Sequence, residues 1–337
     1  MIKEAINKLI AGRDLTGKEA RRVTEEIMSG KSGEAAIASY LTALRIKGET
    51  VDEITGAVLA MRAFASRVGC SSRVVLDTCG TGGDKKGTFN ISTISAFVVA
   101  GAGITVAKHG NRSASSSCGS ADLLEALGVN IHMTQSRLRA CLKDVGIAFL
   151  FAPDLHPAMK YASPVRRELG IKTIFNIIGP LSNPACATHQ LIGVYERRLV
   201  SLVCGVLKKL GSKRAMVVHG DDGLDEITTT ADTFACELKG GRIRNFIIKP
   251  GSLGIGKSGL KDIQGSGLVS NARTALKILK GEKGPRRDIV LLNAGAAIYV
   301  AGKAKSLKEG LRLAADSLDS GRALGKLNLL KKYSRIK

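Results

Sequence analysis

Two candidate anion-binding loops lie in residues 77–122, which read DTCGTGGDKKGTFNISTISAFVVAGAGITVAKHGNRSASSSCGSAD. The apolar run VVL at 74–76 predicts a buried strand, and GTGGD at 80–84 then interrupts it with three glycines. From Asn90 onward the apolar residues take helical spacing. A strand, a glycine loop and a helix start together present free backbone N–H groups and a helix dipole to an anion.

The second loop follows a candidate strand at 104–107 and begins with KHGNR at 108–112. A serine-rich stretch then leads to another helix start at Ala121. Two such loops, one of them carrying Lys and Arg, suit a ligand with two phosphate groups. GTGGD matches neither the P-loop nor the dinucleotide motif, because it lacks the Lys-Ser/Thr of the first and the third glycine of the second. On its own, a glycine-rich turn is more often a tight loop than a ligand site.

Composition limits the class of protein. A chain of 337 residues with 44% hydrophobic content can form two domains or one large α/β unit. The seven cysteines are scattered and contain no C-x-x-C, which favours free thiols in a reducing compartment over a disulfide framework or a zinc site. Lys3, Glu4 and Lys8 interrupt any signal-peptide core, and no apolar run approaches membrane-spanning length. We therefore expect a cytoplasmic location and no membrane partner.

The formal net charge of +22 indicates attraction to anionic ligands or polyanions. A solvated basic surface is the favoured interpretation, and contact with nucleic acid is the less favoured one. Aromatic residues make up only 4% of the chain, which leaves little material for stacking on single-stranded bases.

The order of patterns along the chain predicts a small N-terminal all-helical domain followed by a larger α/β domain with a mainly parallel central sheet. Residues 1–70 read as four helices, with capping boxes at Thr16/Glu19 and Thr50/Glu53. Residues 73–337 alternate between strand and helix, except that helical material at about 160–184 leaves the sheet and is expected to join the helical domain. The predicted strands are 74–76, 104–107, 147–151, 189–194, 214–218, 233–238 and 242–248, the last two antiparallel. The predicted helices of this part are 90–100, 120–127, 135–145, 196–210, 271–280, 290–301 and 306–318.

An acidic stretch, HGDDGLDEIT at 219–228, follows the predicted strand that ends at Val218. Acids at the carboxyl end of a strand lie where α/β sheets bind ligands. On a turn, Asp225 and Glu226 can both reach a hard cation such as Mg²⁺, which takes one or two carboxylates together with substrate phosphates. The same acids can instead cap a helix, favoured by its dipole. Spacing alone leaves these two interpretations equal.

Six motifs, in order, resemble the anthranilate phosphoribosyltransferase family over nearly the whole chain. They are GTGGD at 80–84, NIST at 90–93, KHGNR at 108–112, GSAD at 119–122, GPLSNP at 179–184 and DGLDE at 222–226. The resemblance implies a magnesium-dependent enzyme that transfers phosphoribosyl from phosphoribosyl pyrophosphate to the amine of anthranilate in tryptophan biosynthesis. It also implies a homodimer formed through the helical domain.

The resemblance further implies a role for individual residues. The expected contacts to phosphoribosyl pyrophosphate are Gly80, Thr81, Gly82, Gly83, Asp84, Thr88, Asn90, Ile91, Ser92, Thr93, Lys108, Ser116 and Ser120. Gly80, Asn111 and Arg166 are expected at anthranilate, and Ser92, Asp225 and Glu226 at magnesium. His109 is the candidate catalytic residue, either accepting the amine proton or hydrogen-bonding the substrate. One departure is Ser117-Cys118, where family members often have Lys-Ser.

Two rival functions remain at this point. A pyrimidine nucleoside phosphorylase shares the architecture, but Asn111-Arg112 and the GPLSNP stretch favour the anthranilate enzyme. A nucleic-acid-binding relative would need neither the two acids nor Asn111. On spacing alone, Arg166 beside Arg167 and Glu168 reads as a solvated helix face, and only the resemblance reverses that interpretation. His156 before Pro157 is interpreted as a turn residue.

Overall fold

The chain begins with four helices that pack on one another. The structure is a computed structural model that describes residues 1–113 and 118–336. The helices are α1 (Ile2–Ile10), α2 (Gly17–Met28), α3 (Glu34–Lys47) and α4 (Val51–Ala63). Both predicted capping boxes are present, at the starts of α2 and α4. The capping box of α4 is also bonded to other parts of the helical domain. The Glu53 carboxylate accepts further hydrogen bonds from the Leu15 amide at 2.8 Å and from Lys47 Nζ at 3.0 Å.

A seven-stranded sheet forms the centre of the described part of the chain. Its strands are β1 (Val75–Gly80), β2 (Thr105–Gly110), β3 (Ile147–Phe151), β4 (His189–Gly193), β5 (Arg214–Gly220), β6 (Thr233–Lys239) and β7 (Arg242–Ile248). Their order is β3-β2-β1-β4-β5-β6-β7, with β1 to β5 parallel and β6 and β7 antiparallel. The predicted fold class is confirmed. The chain moves from β1 to one side and later from β4 to the other, so a crevice opens between β1 and β4 at their carboxyl ends.

Helices cover both faces of this sheet. They are α5 (Ile91–Gly101), α6 (Ser120–Ala126), α7 (Gln135–Ala140), α8 (Ala152–Leu155), α9 (Ser163–Leu169), α10 (Ile174–Leu181), α11 (Arg198–Lys209), α12 (Leu268–Leu279), α13 (Pro285–Val300), α14 (Leu307–Asp319) and α15 (Arg322–Ser334). One apolar core lies between the sheet and α5, α13, α14 and α15, and α5 is buried along almost its whole length. Apolar burial of this kind is the main stabilising contribution to the fold.

Several predicted boundaries differ from the observed ones. The predicted helix 135–145 ends in a π-helical turn, Cys141–Val145, and α13 begins at Pro285 rather than 290 because proline suits the first turn. Helix α15 has no counterpart among the predicted helices. Strand β1 continues four residues past its predicted end at 76, and β2 continues to Gly110. The two extensions carry the buried polar residues of the crevice.

The excursion between β3 and β4 packs on the N-terminal helices. Apolar side chains of α9 and α10, among them Val165, Phe175 and Ile178, share a second apolar cluster with residues of α2, α3 and α4. Helix α11 and the other face of the sheet complete that cluster. The domain limits at residues 70 and 73 stay a prediction. Among the helices that the structure describes, none is both long and apolar enough to cross a membrane.

Candidate active site

A cavity of about 900 Å³ opens at the crevice between β1 and β4. Its walls come from the glycine loop after β1, the start of α5, the end of β2, the turn after β5 and the excursion that carries α9 and α10. Every predicted site residue within the described ranges lines it: Gly80, Thr81, Gly82, Gly83, Asp84, Thr88, Asn90, Ile91, Ser92, Thr93, Lys108, His109, Asn111, Ser120, Arg166, Asp225 and Glu226. Ser116 lies outside the described residues. The excursion therefore lies where it can close one side of a ligand site.

The glycine loop is built against Asp225. The Gly82 amide donates a hydrogen bond of 2.7 Å to Asp225 Oδ2, across 143 residues of sequence. A Cβ on Gly80 would overlap the Asp225 carboxylate, and one on Gly193, at the end of β4, would overlap the Asp225 carbonyl oxygen. Glycine is therefore favoured at both positions, because Gly193 lies against the backbone of Asp225 and Gly80 against its side-chain carboxylate.

Glu226 meets the start of α5. Its Oε1 accepts a hydrogen bond of 3.1 Å from the Ser92 amide, one of the first-turn N–H groups that have no partner inside the helix. Asn90, which precedes the helix, makes no side-chain cap and instead donates from Nδ2 to the Cys118 carbonyl at 2.9 Å. Asn90 therefore ties the second loop to the first, while Glu226 ties the acidic turn to the helix.

The two acids lie in an environment that disfavours their charge. Burial raises the pKa of both Asp225 and Glu226. The charge of Asp84 adds to the rise at Asp225, that of Asp225 adds to the rise at Glu226, and Lys108 opposes the latter. Buried carboxylates that repel one another are a donor set that a divalent cation stabilises.

The donor set also fits magnesium in number. Within residues 1–113 and 118–336, His, Cys, Asp and Glu form no group of three or more with the geometry of a complete metal site. Magnesium normally takes one or two carboxylates and completes its shell with water and substrate phosphates. Asp225, Glu226 and the Ser92 hydroxyl match that incomplete, oxygen-only set.

Lys108 closes the floor of the cavity where β1 and β2 separate. The two strands pair only from Val75 to Leu76, and beyond that point Lys108 Nζ donates to the Thr78 carbonyl at 2.6 Å and to Ser92 Oγ at 3.3 Å. Lys108 is only 3% exposed. Burial lowers its pKa, and the charge of Asp77 opposes that lowering. An ammonium group is therefore held beside the Ser92 hydroxyl and close to Glu226.

Asp77 and Asn183 hold the separated strands in place. Asn183 Nδ2 donates 2.8 Å hydrogen bonds to Asp77 Oδ2 on β1 and to the Ala107 carbonyl on β2. Asp77 Oδ1 also accepts from the His109 amide at 3.2 Å. This arrangement gives GPLSNP a structural role, because its asparagine bridges the two strands that carry the cavity floor.

Another part of the cavity wall contains neutral histidines and an arginine. The rings of His109 and His156 lie 5.1 Å apart, and both residues are buried. Burial lowers the pKa of His109 to about 3 and that of His156 to about 4, so both are neutral at pH 7. The Arg166 guanidinium lies 5.4 Å from the centre of the Phe175 ring, which also lines the cavity. This part combines apolar rings, neutral hydrogen-bonding groups and one positive charge.

Sequence reasoning missed His156 as a wall of the cavity. The interpretation as a turn residue describes its backbone, since it precedes a short helical turn, but its side chain is 2% exposed and faces His109. No local pattern signals this contact, because His109 lies on β2 whereas His156 lies between α8 and the following helical turn. Arg112 is directed differently from its neighbour Asn111, since its guanidinium pairs with Asp122 at 3.0 Å and with Glu125.

The family models and the curated relatives that match this chain indicate the same family. Residues 3–65 match the model described as "Glycosyl transferase family, helical bundle domain", and residues 72–324 match "Glycosyl transferase family, a/b domain". Two curated relatives are the anthranilate phosphoribosyltransferases of Clostridium kluyveri and Alkaliphilus metalliredigens. The first is 49% identical over 334 residues, covering 99% of this chain and 100% of the relative. The second is 52% identical over 335 residues, covering 99% of each.

Solved structures agree with the sequence comparison. The anthranilate phosphoribosyltransferase of Thermus thermophilus superposes with a TM-score of 0.94 at 42% identity, covering 98% of this chain and 99% of that one. The enzyme of Saccharomyces cerevisiae, solved in complex with PRPP and Mg, gives a TM-score of 0.90 at 28% identity, covering 99% and 97%. The chain belongs to the anthranilate phosphoribosyltransferase family.

Proposed function

We infer that the cavity between β1 and β4 is where this chain carries out the reaction of its family. The chain transfers phosphoribosyl from phosphoribosyl pyrophosphate to the amine of anthranilate, and N-(5-phosphoribosyl)anthranilate and pyrophosphate are the products of this step of tryptophan biosynthesis. The observation that carries the assignment to this cavity is the 2.7 Å hydrogen bond between the Gly82 amide and Asp225, which joins the glycine loop to the acidic turn.

The donor is assigned to the residues around the glycine loop and the start of α5. Gly80 to Asp84, Thr88, Asn90 to Thr93, Lys108 and Ser120 line one continuous surface there. Backbone N–H groups and the Lys108 ammonium would face the diphosphate, where negative charge develops as the bond to the anomeric carbon breaks. Ser116 remains part of the proposal, although it lies outside the described residues.

Magnesium is assigned to Ser92, Asp225 and Glu226. When bound, the ion supplies positive charge that stabilises the leaving pyrophosphate. The two acids would hold it against the glycine loop, because the Gly82 and Ser92 amides already fix both carboxylates. Preformed contacts of this kind remove the need to reorganise the site during the reaction.

Anthranilate is assigned to Gly80, Asn111 and Arg166. A guanidinium can grip the anthranilate carboxylate with two parallel hydrogen bonds, and burial of Arg166 strengthens that contact. The aromatic amine is neutral at pH 7, so the enzyme mainly has to position it over the anomeric carbon. His109 is proposed as its hydrogen-bond partner. A pKa of about 3 makes this imidazole a weak base, which favours hydrogen bonding over full proton transfer.

A homodimer through the helical domain, in the cytoplasm, remains part of the proposal. Ile10 on α1 is 73% exposed and Ile46 on α3 is 81% exposed, and both would gain from burial against a second copy. Free thiols at all seven cysteines suit a reducing compartment. A membrane partner is not proposed, and nucleic acid is not favoured.

The assay that tests the function follows the fluorescence of anthranilate in the presence of phosphoribosyl pyrophosphate and magnesium. We expect the fluorescence to fall with time and pyrophosphate to accumulate in equal amount. The rival phosphorylase would instead cleave thymidine or uridine when phosphate is added. Phosphorolysis of either nucleoside without any loss of anthranilate would overturn the proposal.

Arg166→Ala is expected to raise the KM for anthranilate by about tenfold or more while leaving the KM for phosphoribosyl pyrophosphate within about twofold, because one charge-assisted bidentate contact is lost. Initial rates with each substrate varied in turn measure the two constants. Arg167→Ala is the matched control, since Arg167 is its exposed neighbour on α9. An equal rise in both KM values would show that Arg166 does not act as the carboxylate clamp.

A further inference from the structure

Lys172 reaches the glycine loop from the excursion that carries α9 and α10. It lies on the turn between these helices, and its Nζ is 3.5 Å from the centre of the Tyr195 ring. A Cβ built on Gly83 would lie 3.3 Å from Lys172 Cε and 3.7 Å from its Nζ. Lys172 therefore brings the excursion into contact with the glycine loop.

Tyr195 connects this lysine to the loop a second time. The Tyr195 amide donates to Thr81 Oγ1 at 3.1 Å, and the Thr81 amide donates to the Gly193 carbonyl at 2.9 Å. The ring is buried, and a cation above a desolvated aromatic face is held by the ring quadrupole. The position of the Lys172 ammonium is thus fixed by the same segment after β4 that holds the loop.

Lys85 brings a second positive charge to the same place. It lines the cavity, directly after the glycine loop, and is exposed. Its φ of 58° lies in the left-handed region that favours glycine, so the loop holds a lysine in a conformation that costs conformational energy. Such strain persists where the surrounding structure fixes the backbone, and it is common at ligand sites.

The two lysines lie close enough to repel each other. Burial lowers the pKa of Lys172, the charges of Glu196 and Asp225 oppose that lowering, and the charges of Lys85 and Arg45 add to it. Neither Lys85 nor Lys172 is among the lysines that form ion pairs within the described residues, which are Lys8, Lys47, Lys209, Lys277 and Lys283. Two neighbouring cations, neither with a described acid within 4 Å and both beside a loop of backbone amides, form a site that an anion of high charge would stabilise.

We propose that Lys172, which touches Gly83, and Lys85, which lines the cavity, form an additional binding position for the diphosphate of the donor beside the glycine loop. The inference rests on the proposed function, and it names a determinant of donor affinity that the motif residues do not include. Lys172 acts as a positioned point charge, and Lys85 adds a weaker, solvent-screened contribution.

The test uses the full chain and calorimetric titration with magnesium pyrophosphate, so that the measurement does not depend on catalysis. Lys172→Met keeps the aliphatic stem and removes the charge, and we expect the Kd to rise by about tenfold, the effect of losing one charged hydrogen bond. Lys85→Gly suits the left-handed backbone and should raise the Kd by only about threefold, because the group is exposed. Initial rates should show the KM for phosphoribosyl pyrophosphate rising in parallel, with the KM for anthranilate unchanged.

Lys86→Gln and Lys172→Arg are the matched controls. Lys86 neighbours Lys85 but its side chain packs towards Gly223, away from Lys172 and Gly83, so its loss should leave the Kd unchanged. Lys172→Arg keeps the charge and should restore near wild-type binding, which separates the charge from a packing effect. Equal Kd values for Lys172→Met and Lys86→Gln would overturn the proposal, as would absence of magnesium pyrophosphate binding by the wild type. Pyrophosphate binding without phosphoribosyl transfer would overturn the proposed function alone.

Discussion

Glu226→Ala should slow phosphoribosyl transfer by about 10²-fold or more, the size of losing one preorganised electrostatic contribution to the transition state. Glu226 is one of the two carboxylates assigned to magnesium, and it also holds the Ser92 amide at 3.1 Å. Its removal therefore weakens magnesium binding and at the same time removes a hydrogen-bond acceptor from the first turn of α5. The loss of rate should be largest at low magnesium concentration and become smaller as that concentration is raised, because mass action partly compensates for weaker binding.

The measurement is the initial rate of anthranilate loss over a series of magnesium concentrations. Asp221→Ala is the control, since Asp221 belongs to the same acidic stretch but pairs with Arg197 at 3.3 Å on the surface. We expect Asp221→Ala to follow the wild-type magnesium curve. A Glu226→Ala enzyme with an unchanged rate at low magnesium would refute the assignment of this residue to the metal.

Gly193→Ala should abolish most activity although it adds a single methyl group. A Cβ at this position would overlap the carbonyl oxygen of Asp225, which is backbone and cannot rotate away. The turn after β5 must therefore move, and the contacts of Asp225 with Gly82 and of Glu226 with Ser92 move with it. We expect a fall in kcat/KM of about 10²-fold or more, and a loss of stability of about 1–3 kcal/mol from overpacking.

Thermal unfolding and initial rates together test this expectation. Gly325→Ala on α15 is the matched control, because nothing lies within 4 Å of the added Cβ. In a helix interior that change should stabilise the chain by about 0.5–1 kcal/mol without any effect on the rate. A Gly193→Ala enzyme with wild-type activity would show that the close approach of the two segments is not needed for the reaction.

The alternation of strands and helices was predictable because apolar periodicity reflects burial. The ends of the strands were not. Val74 to Leu76 is apolar, so the strand was predicted to stop before Asp77, whereas β1 continues to Gly80. Asp77 can be buried there because Asn183, 106 residues away, and the His109 amide both donate hydrogen bonds to it. A pattern confined to one segment cannot indicate a partner at that distance.

For the same reason, only part of the site could be predicted from the sequence. The glycine loop and the acidic turn each have a local signature, so both were identified from the sequence. Their meeting through Gly82 and Asp225 is a property of the strand order, which places the ends of β1, β4 and β5 side by side. His156 and Lys172 have no local signature, since each is defined only by what it contacts in space.

The claim on which the account depends is that two segments, distant in the chain, enclose one metal-bound diphosphate. A crystal structure with phosphoribosyl pyrophosphate and manganese in place of magnesium tests it most directly, because the anomalous signal of manganese locates the ion without reference to the protein. We predict an anomalous peak between the carboxylates of Asp225 and Glu226 and the donor, with the glycine loop on the diphosphate. A peak elsewhere in the molecule, with the donor absent from this cavity, would contradict the account.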